Sequence, residues 1–334
     1  MQSSSEKTTQ TPPRLIPSLV TGFNIVANNI HLILLPVLFD IILWLGPHIG
    51  LKKAFLPGIN EFTTTMNKLA PVEMQSMLDA SRQLWEQVLS QFNLVSVMRT
   101  FPVGLPSLIA RILPIQTPFG EAQIFELNSI LSSLGTWLCL LLLGGFLGCI
   151  YYDQVARHTG SSITAFNLRQ VMRQFAQTIF LSLALLFVLS VFFIPAFVAV
   201  SLFSAINPSI GQFLVLGIGL FVVWLFVPLV FSPHGIFTSP QNAISAIFSS
   251  IRLVRFFLPG TGFFLLTSVL VNEGLNKLWT IPPASSWMLL LGIGGHAFIF
   301  TALFASSFIY YRGGLRWMHF NMEQAAAAAS TVKA

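Results

Sequence analysis

The sequence is short of charge. Of its 334 residues, 8% are Asp, Glu, Lys or Arg and 54% are hydrophobic, whereas a soluble domain carries about 25% charged residues. Too few remain to cover a water-facing surface. Residues 174 to 251 form a run of 78 without one charged side chain. That run excludes a soluble fold and suits a bilayer, and a mean hydropathy of +0.77 agrees. Cysteine is scarce too. Cys139 and Cys149 lie ten residues apart in one apolar run, which on a helix separates them by about 15 Å. No disulfide spans that gap, and neither a disulfide framework nor a cysteine-based metal site is expected.

Catalytic patterns are missing as well. The chain has no HExxH, no GxSxG and no Walker A sequence. His31 and His48 flank the first apolar run, too far apart to share a metal. The expectation is a non-enzymatic protein without metal or cofactor. The opening MQSSSEKTTQTPPRLIPS is polar and Pro-rich. It lacks the basic, apolar and small-residue regions of a signal peptide, and residues 1–22 read as a disordered tail.

Six runs are long enough to cross a membrane: residues 30–49, 129–152, 178–206, 211–231, 256–271 and 286–311. A semi-polar, helix-like stretch at 15–29 precedes the first. Pro195 in the third predicts tilt or a kink. The fifth is short and interrupted by Pro259, Gly260 and Gly262. The fold class is therefore all-α, a polytopic helical membrane bundle. The net charge of +6 is spread over short loops with no basic stripe, so membrane lipids and not nucleic acid are the expected partners. With the N-terminus inside, the inner segments hold Lys7, Arg14, Arg157, Arg169, Arg173, Arg252, Arg255, Arg312, Arg316 and Lys333, against Lys277 in the short outer loops. By the positive-inside rule both termini face the cytoplasm. A bacterial inner membrane is the expected location.

The long first loop, residues 50–127, balances six basic against six acidic residues. Apolar residues recur at helical spacing at Ile59, Phe62, Met66 and Leu69, and again from Met77 to Phe92. A third apolar piece, Leu105–Leu113, lies among Pro102, Pro106 and Pro114. Two or three amphipathic helices forming an outer cap are predicted. The membrane bundle then occupies 128–312 and a cytoplasmic tail 313–334.

Residues 161–175 match 242–256 as a weak internal repeat, with Ile163 against Ile244, Ala165 against Ala246 and Phe175 against Phe256. Each copy carries two arginines and leads into a span. Both read as interfacial helices, near 161–175 and 240–256, whose Arg169, Arg173, Arg252 and Arg255 reach lipid phosphates. Ser239-Pro240 is the expected start of the second. Its polar stripe would be Gln241, Ser245, Ser249 and Arg252, opposite Ile244, Ile247, Ile251 and Val254.

At these residues a resemblance appears. Pro228-Leu-Val-Phe-Ser-Pro233, followed by Ala-Ile-Ser-Ala-Ile-Phe-Ser-Ser-Ile-Arg-Leu-Val-Arg and another span, resembles the membrane domain attached to some bacterial glycerophosphoryl diester phosphodiesterases. Related six-span bacterial membrane proteins share it. The first span, Leu35 to Pro47, is also similar to bacterial membrane proteins of this kind. The chain has no catalytic barrel, so the resemblance implies architecture and not hydrolysis.

Asp40 is the one acidic residue well inside an expected span. A carboxylate there costs about 2.5 kcal/mol or more on insertion scales and requires a partner or a proton. Asn29, Pro36, Asp40 and Trp44 fall on one helical face. His296, after Gly292, Gly294 and Gly295, is positioned to pair with Asp40 in a ligand site or proton relay that also draws on Asn29. Gly144 and Gly148 form a GxxxG helix-contact signal. His234, in Ser-Pro-His-Gly, reads as a turn residue. The leading expectation is a protein that binds or transports a lipid-like or small amphiphilic molecule. The alternative is a structural or accessory subunit, as a homo-oligomer or with a membrane partner protein.

Overall fold

The apolar runs become long helices in the computed structural model, which describes residues 11–69, 71–160, 165–239 and 241–332. In chain order these are α1 (Leu15–Asn28), α2 (Leu34–Leu45), β1 (His48–Gly50), α3 (Lys52–Leu69), α4 (Val72–Gln91) and the short α5 (Ile109–Ile112). Then come β2 (Gln116–Thr117), β3 (Gly120–Glu121), β4 (Ile124–Glu126), α6 (Ile130–His158), α7 (Leu168–Ile206) and α8 (Pro208–Phe226). The chain ends with α9 (Ser232–Thr238), α10 (Ala243–Phe256), α11 (Leu258–Trp279) and α12 (Leu289–Val332). Among the described residues, four helical segments are long and apolar enough to cross a membrane: Ile130–His158, Leu168–Ile206, Pro208–Thr238 and Leu289–Ala328. The broken pairs α1–α2 and α10–α11 raise the number to six if each counts as one span. The protein is an all-α polytopic membrane protein.

Several boundaries differ from those read in the sequence. The chain is helical from Leu15, so the 1–22 tail is at most partly irregular; residues 1–10 lie outside the described residues. At the other end α12 runs unbroken through 313–332, because Gln-Ala-Ala-Ala-Ala-Ala is strong helix-forming sequence. α7 passes through Pro195 as one helix of 39 residues. Its first turns contain Arg169 and Arg173, so residues 168–175 are not a separate interfacial helix. Residues 161–164 of that repeat lie outside the described residues, as does Pro240. The second copy is a distinct helix, α10, turned by 103° from α11. Its cap is Asn242, whose side chain accepts from the Ser245 amide at 2.9 Å, and not Ser239. Its buried face also differs: Ala243, Ala246, Ser250, Leu253 and Val254 point inward, while Ile244 and Phe248 are more than half exposed. In a membrane, small residues allow close packing and large apolar ones face lipid.

The chain divides into two compact units. One comprises Ile30–Tyr151 and Asn272–Thr301. Within it α3 packs on α4, and β1 pairs in parallel with β4, His48 opposite Ile124. A small β2–β3 hairpin completes the loop region. Strands are thus present where an all-helical cap was expected. The third apolar piece is not a cap helix either. Leu94, Met98, Val103, Leu105, Leu108 and Ile109 are all buried, and of this stretch only a 3-10 turn and the four residues of α5 are helical. It is a plug. Cβ atoms added at Gly144 and Gly148 of α6 would fall 2.3–2.8 Å from the backbone of Met98 and Gly104. The GxxxG of α6 therefore receives this plug and not another helix.

The other unit comprises Met1–Asn29, Tyr152–Val271 and Ala302–Ala334. Its core gathers Phe231, Leu253, Val254, Phe264, Tyr310, Tyr311 and Met318. Ser250 ties α10 into it, donating to the Pro228 carbonyl at 2.7 Å and accepting from the Phe231 amide at 3.1 Å. Asn207 ends α7 and also caps α8, accepting from the Ser209 amide at 2.9 Å.

Candidate functional site

Asp40 is fully buried on α2, together with Pro36 and Trp44. Its carboxylate is taken up by the plug. Ser107 Oγ donates to Oδ1, the Leu108 amide donates to Oδ2 at 3.0 Å and the Ile109 amide to Oδ1 at 3.2 Å. Ser107 Oγ in turn accepts from the Ala110 amide at 2.9 Å. Irregular backbone is tolerated at membrane depth only where protein satisfies its amides, and a carboxylate does so with strong charge-assisted bonds. Asp40 is the staple that lets a non-helical segment sit beside the middle of α6. Trp44, one turn on, donates to the Ala284 carbonyl at 2.8 Å and meets the Trp287 ring edge-on at 5.8 Å.

His296 does not pair with Asp40. Its Nδ1 lies 2.7 Å from Asn276 Oδ1. The buried His296 Nε2, Asn276 Nδ2 and Trp279 Nε1 have no hydrogen-bond partner among the described residues. Gly292 and Gly295 explain the glycine cluster, since a Cβ at either would strike the Trp279 carbonyl or ring within 2.7 Å. Asn29 is not part of α2. Helix α1 ends before it, and its side-chain amide Nδ2 donates to the Ile25 carbonyl at 2.9 Å. Of the expected relay residues, Asp40 and His296 each bond to other partners.

The arginines behave differently. Arg169 and Arg173 line a hollow of about 600 Å³ together with Asn167, Gln170, Gln174 and Gln177 of the α7 N-terminus, and residues 236–239 and Gln241. Asn167 starts the helix by accepting from the Arg169 amide at 3.0 Å, which sets both arginines one turn apart on the hollow's wall. Arg252 and Arg255 are exposed on α10 and line no described hollow. Sequence reading put these four in one group, because spacing alone does not say which helix end faces a recess.

Asp153 holds the wall in place, and sequence reading missed it by ending the second span at residue 152. It is buried. Its Oδ2 meets Arg157 Nε at 2.8 Å, and its Oδ1 accepts from Gln170 Nε2 at 3.4 Å and Gln174 Nε2 at 3.2 Å. The signal available was the Asp153–Arg157 spacing of four. Gln177 is fixed too, accepting from the Ala243 amide at 2.8 Å. His234 is no turn residue: it is buried in α9, with Nε2 2.7 Å from Ser307 Oγ.

This hollow has the chemistry of an anion site. Two guanidiniums stand one turn apart at a helix N-terminus, where they repel each other and oppose the helix dipole. The arrangement costs local helix stability and favours an incoming negative group. No family model, curated protein or solved structure matches the chain. The fold and the apolar helices define an integral, multi-pass membrane protein.

Proposed function

We propose that the protein binds an anionic amphiphile, with its acidic head in the hollow at the α7 N-terminus and its apolar part along the same helix. The observation that carries this is the order of side chains on α7. Arg169, Gln170, Arg173, Gln174 and Gln177 line the hollow, and Phe180, Leu183, Leu186 and Phe187, which follow directly, are exposed. A polar recess opening onto a lipid-facing apolar track suits a molecule with both characters. Charge asymmetry among the loops supports a bacterial inner membrane with this end on the cytoplasmic side. Movement of the bound molecule across the membrane is a further step of the same proposal.

The test is to extract and identify the lipids that co-purify with the protein after mild solubilisation. Acidic lipids should be enriched over their share in the source membrane, and the Arg169→Gln/Arg173→Gln variant should lose the enrichment. Equal lipid composition in both preparations overturns the reading. The accessory-subunit reading draws on one observation. Phe62, Met77, Leu84 and Trp85 of α3 and α4 are largely exposed, an apolar surface of the kind that marks interaction sites. A stoichiometric protein partner with no lipid enrichment would favour it.

A further inference from the structure

The hollow has a neighbour. A second recess of about 830 Å³ is lined by Arg157, Arg312, Arg316 and His319, among others. The two share Gln170, Phe237, Thr238, Ser239 and Gln241 as a common partition. Arg312, Arg316 and His319 stand at spacings of four and three on α12 and so face one way. Arg312 is anchored, donating to the Ala156 carbonyl at 2.7 Å. Arg157 is neutralised by Asp153 at 2.8 Å. No Asp or Glu lines either recess. The result is two arginine pairs, Arg169 with Arg173 and Arg312 with Arg316, lining two recesses that share five residues.

Resting on the reading of the first hollow, we infer that the ligand carries two separate anionic groups, such as two phosphates joined by a short polar linker, one seated in each recess. A single phosphate in the first hollow leaves Arg312 and Arg316, like charges one helical turn apart, with no carboxylate among the described residues that line their recess. A headgroup that straddles the partition at Ser239 and Gln241 satisfies both. The hydroxyl of Ser239 and the amides of Gln170 and Gln241 are placed along such a linker.

The experiment measures binding of the full chain, in detergent, to cardiolipin, which has two phosphates, and to phosphatidylglycerol, which has one. Cardiolipin should bind about tenfold tighter, as one added set of charge-assisted hydrogen bonds gives. Arg316→Gln should collapse that ratio towards one, and Arg316→Lys should restore part of it. Arg82→Gln, on exposed α4 surface, serves as the control and should leave the ratio unchanged. Equal affinity for the two lipids overturns the inference of a second group while leaving the first hollow's role intact. Failure of either lipid to bind, or binding indifferent to Arg169→Gln, overturns the reading of the hollow itself.

Discussion

Among the described residues, two carboxylates are buried in helices, and their surroundings divide their work. Asp40 is held by a hydroxyl and two backbone amides, all neutral donors at the start of α5. Asp153 is held by a guanidinium and two glutamine amides, all side chains that line recesses. The first carboxylate closes a gap in the protein, and the second keeps one open. A buried acidic residue in a membrane helix is therefore not by itself a sign of function. What binds it decides. Backbone donors mark a structural staple, whereas side-chain donors that face a cavity mark a wall built to present them.

The largest effect expected from this contrast is at Asp40. Asp40→Ala leaves two buried amides and a serine hydroxyl without their acceptor, at about 1–3 kcal/mol each. Thermal unfolding should drop steeply, and proteolysis at Arg99 or Arg111 should accelerate as the plug loosens. Unchanged melting would show that the staple is dispensable. Next comes Gly148→Leu, which forces a side chain against Gly104, where even a Cβ would lie 2.8 Å away. It should cost about 1–3 kcal/mol by overpacking, again read by melting and proteolysis of the same loop. A tolerated leucine would mean that the plug can be displaced.

Asp153 should respond in another way. Asp153→Asn strands Arg157 without its counter-ion and should cost about 2 kcal/mol, somewhat below the cost of breaking a fully buried pair. The double variant with Arg157→Gln should recover part of that loss, since no charge is then left alone. No such rescue by removing one cation is expected for Asp40, whose contacting donors are uncharged. A double variant as unstable as the sum of the singles would erase the distinction. The smallest effect is at Arg252 and Arg255. Changing either to Gln should leave lipid enrichment unchanged, because neither lines the two recesses described above. A loss as large as that from Arg169→Gln would place them in the site after all.

Much of the architecture was legible because composition dictates it. A run of 78 uncharged residues and the apolar windows around it define membrane helices before any packing is known. Burial was less legible. The usual rule that large apolar residues point inward reverses on α10, where Ile244 and Phe248 face out and Ala246 and Ser250 face in. The plug was less legible too: Leu105–Leu113 read as a third apolar piece of the cap, yet Pro106 interrupts it and residues 105–109 are buried. Gly144 and Gly148 signalled close approach correctly, but spacing cannot name the approaching partner. Of the site, the arginine pair of α7 was visible and its anchor was not. Asp153 lies one residue beyond the expected span, and its role depends on Gln170 and Gln174, which only the folded chain brings to it.

The most direct test sets the two carboxylates' neighbourhoods side by side in one measurement. Native mass spectrometry of gently extracted protein would compare Asp40→Asn with Arg169→Gln/Arg173→Gln for bound lipid, with melting temperature recorded on the same samples. Asp40→Asn should melt lower yet keep its acidic lipid adduct, while the arginine variant should keep its melting temperature and lose the adduct. Loss of the adduct from Asp40→Asn at unchanged stability, with the arginine variant still loaded, would contradict both expectations.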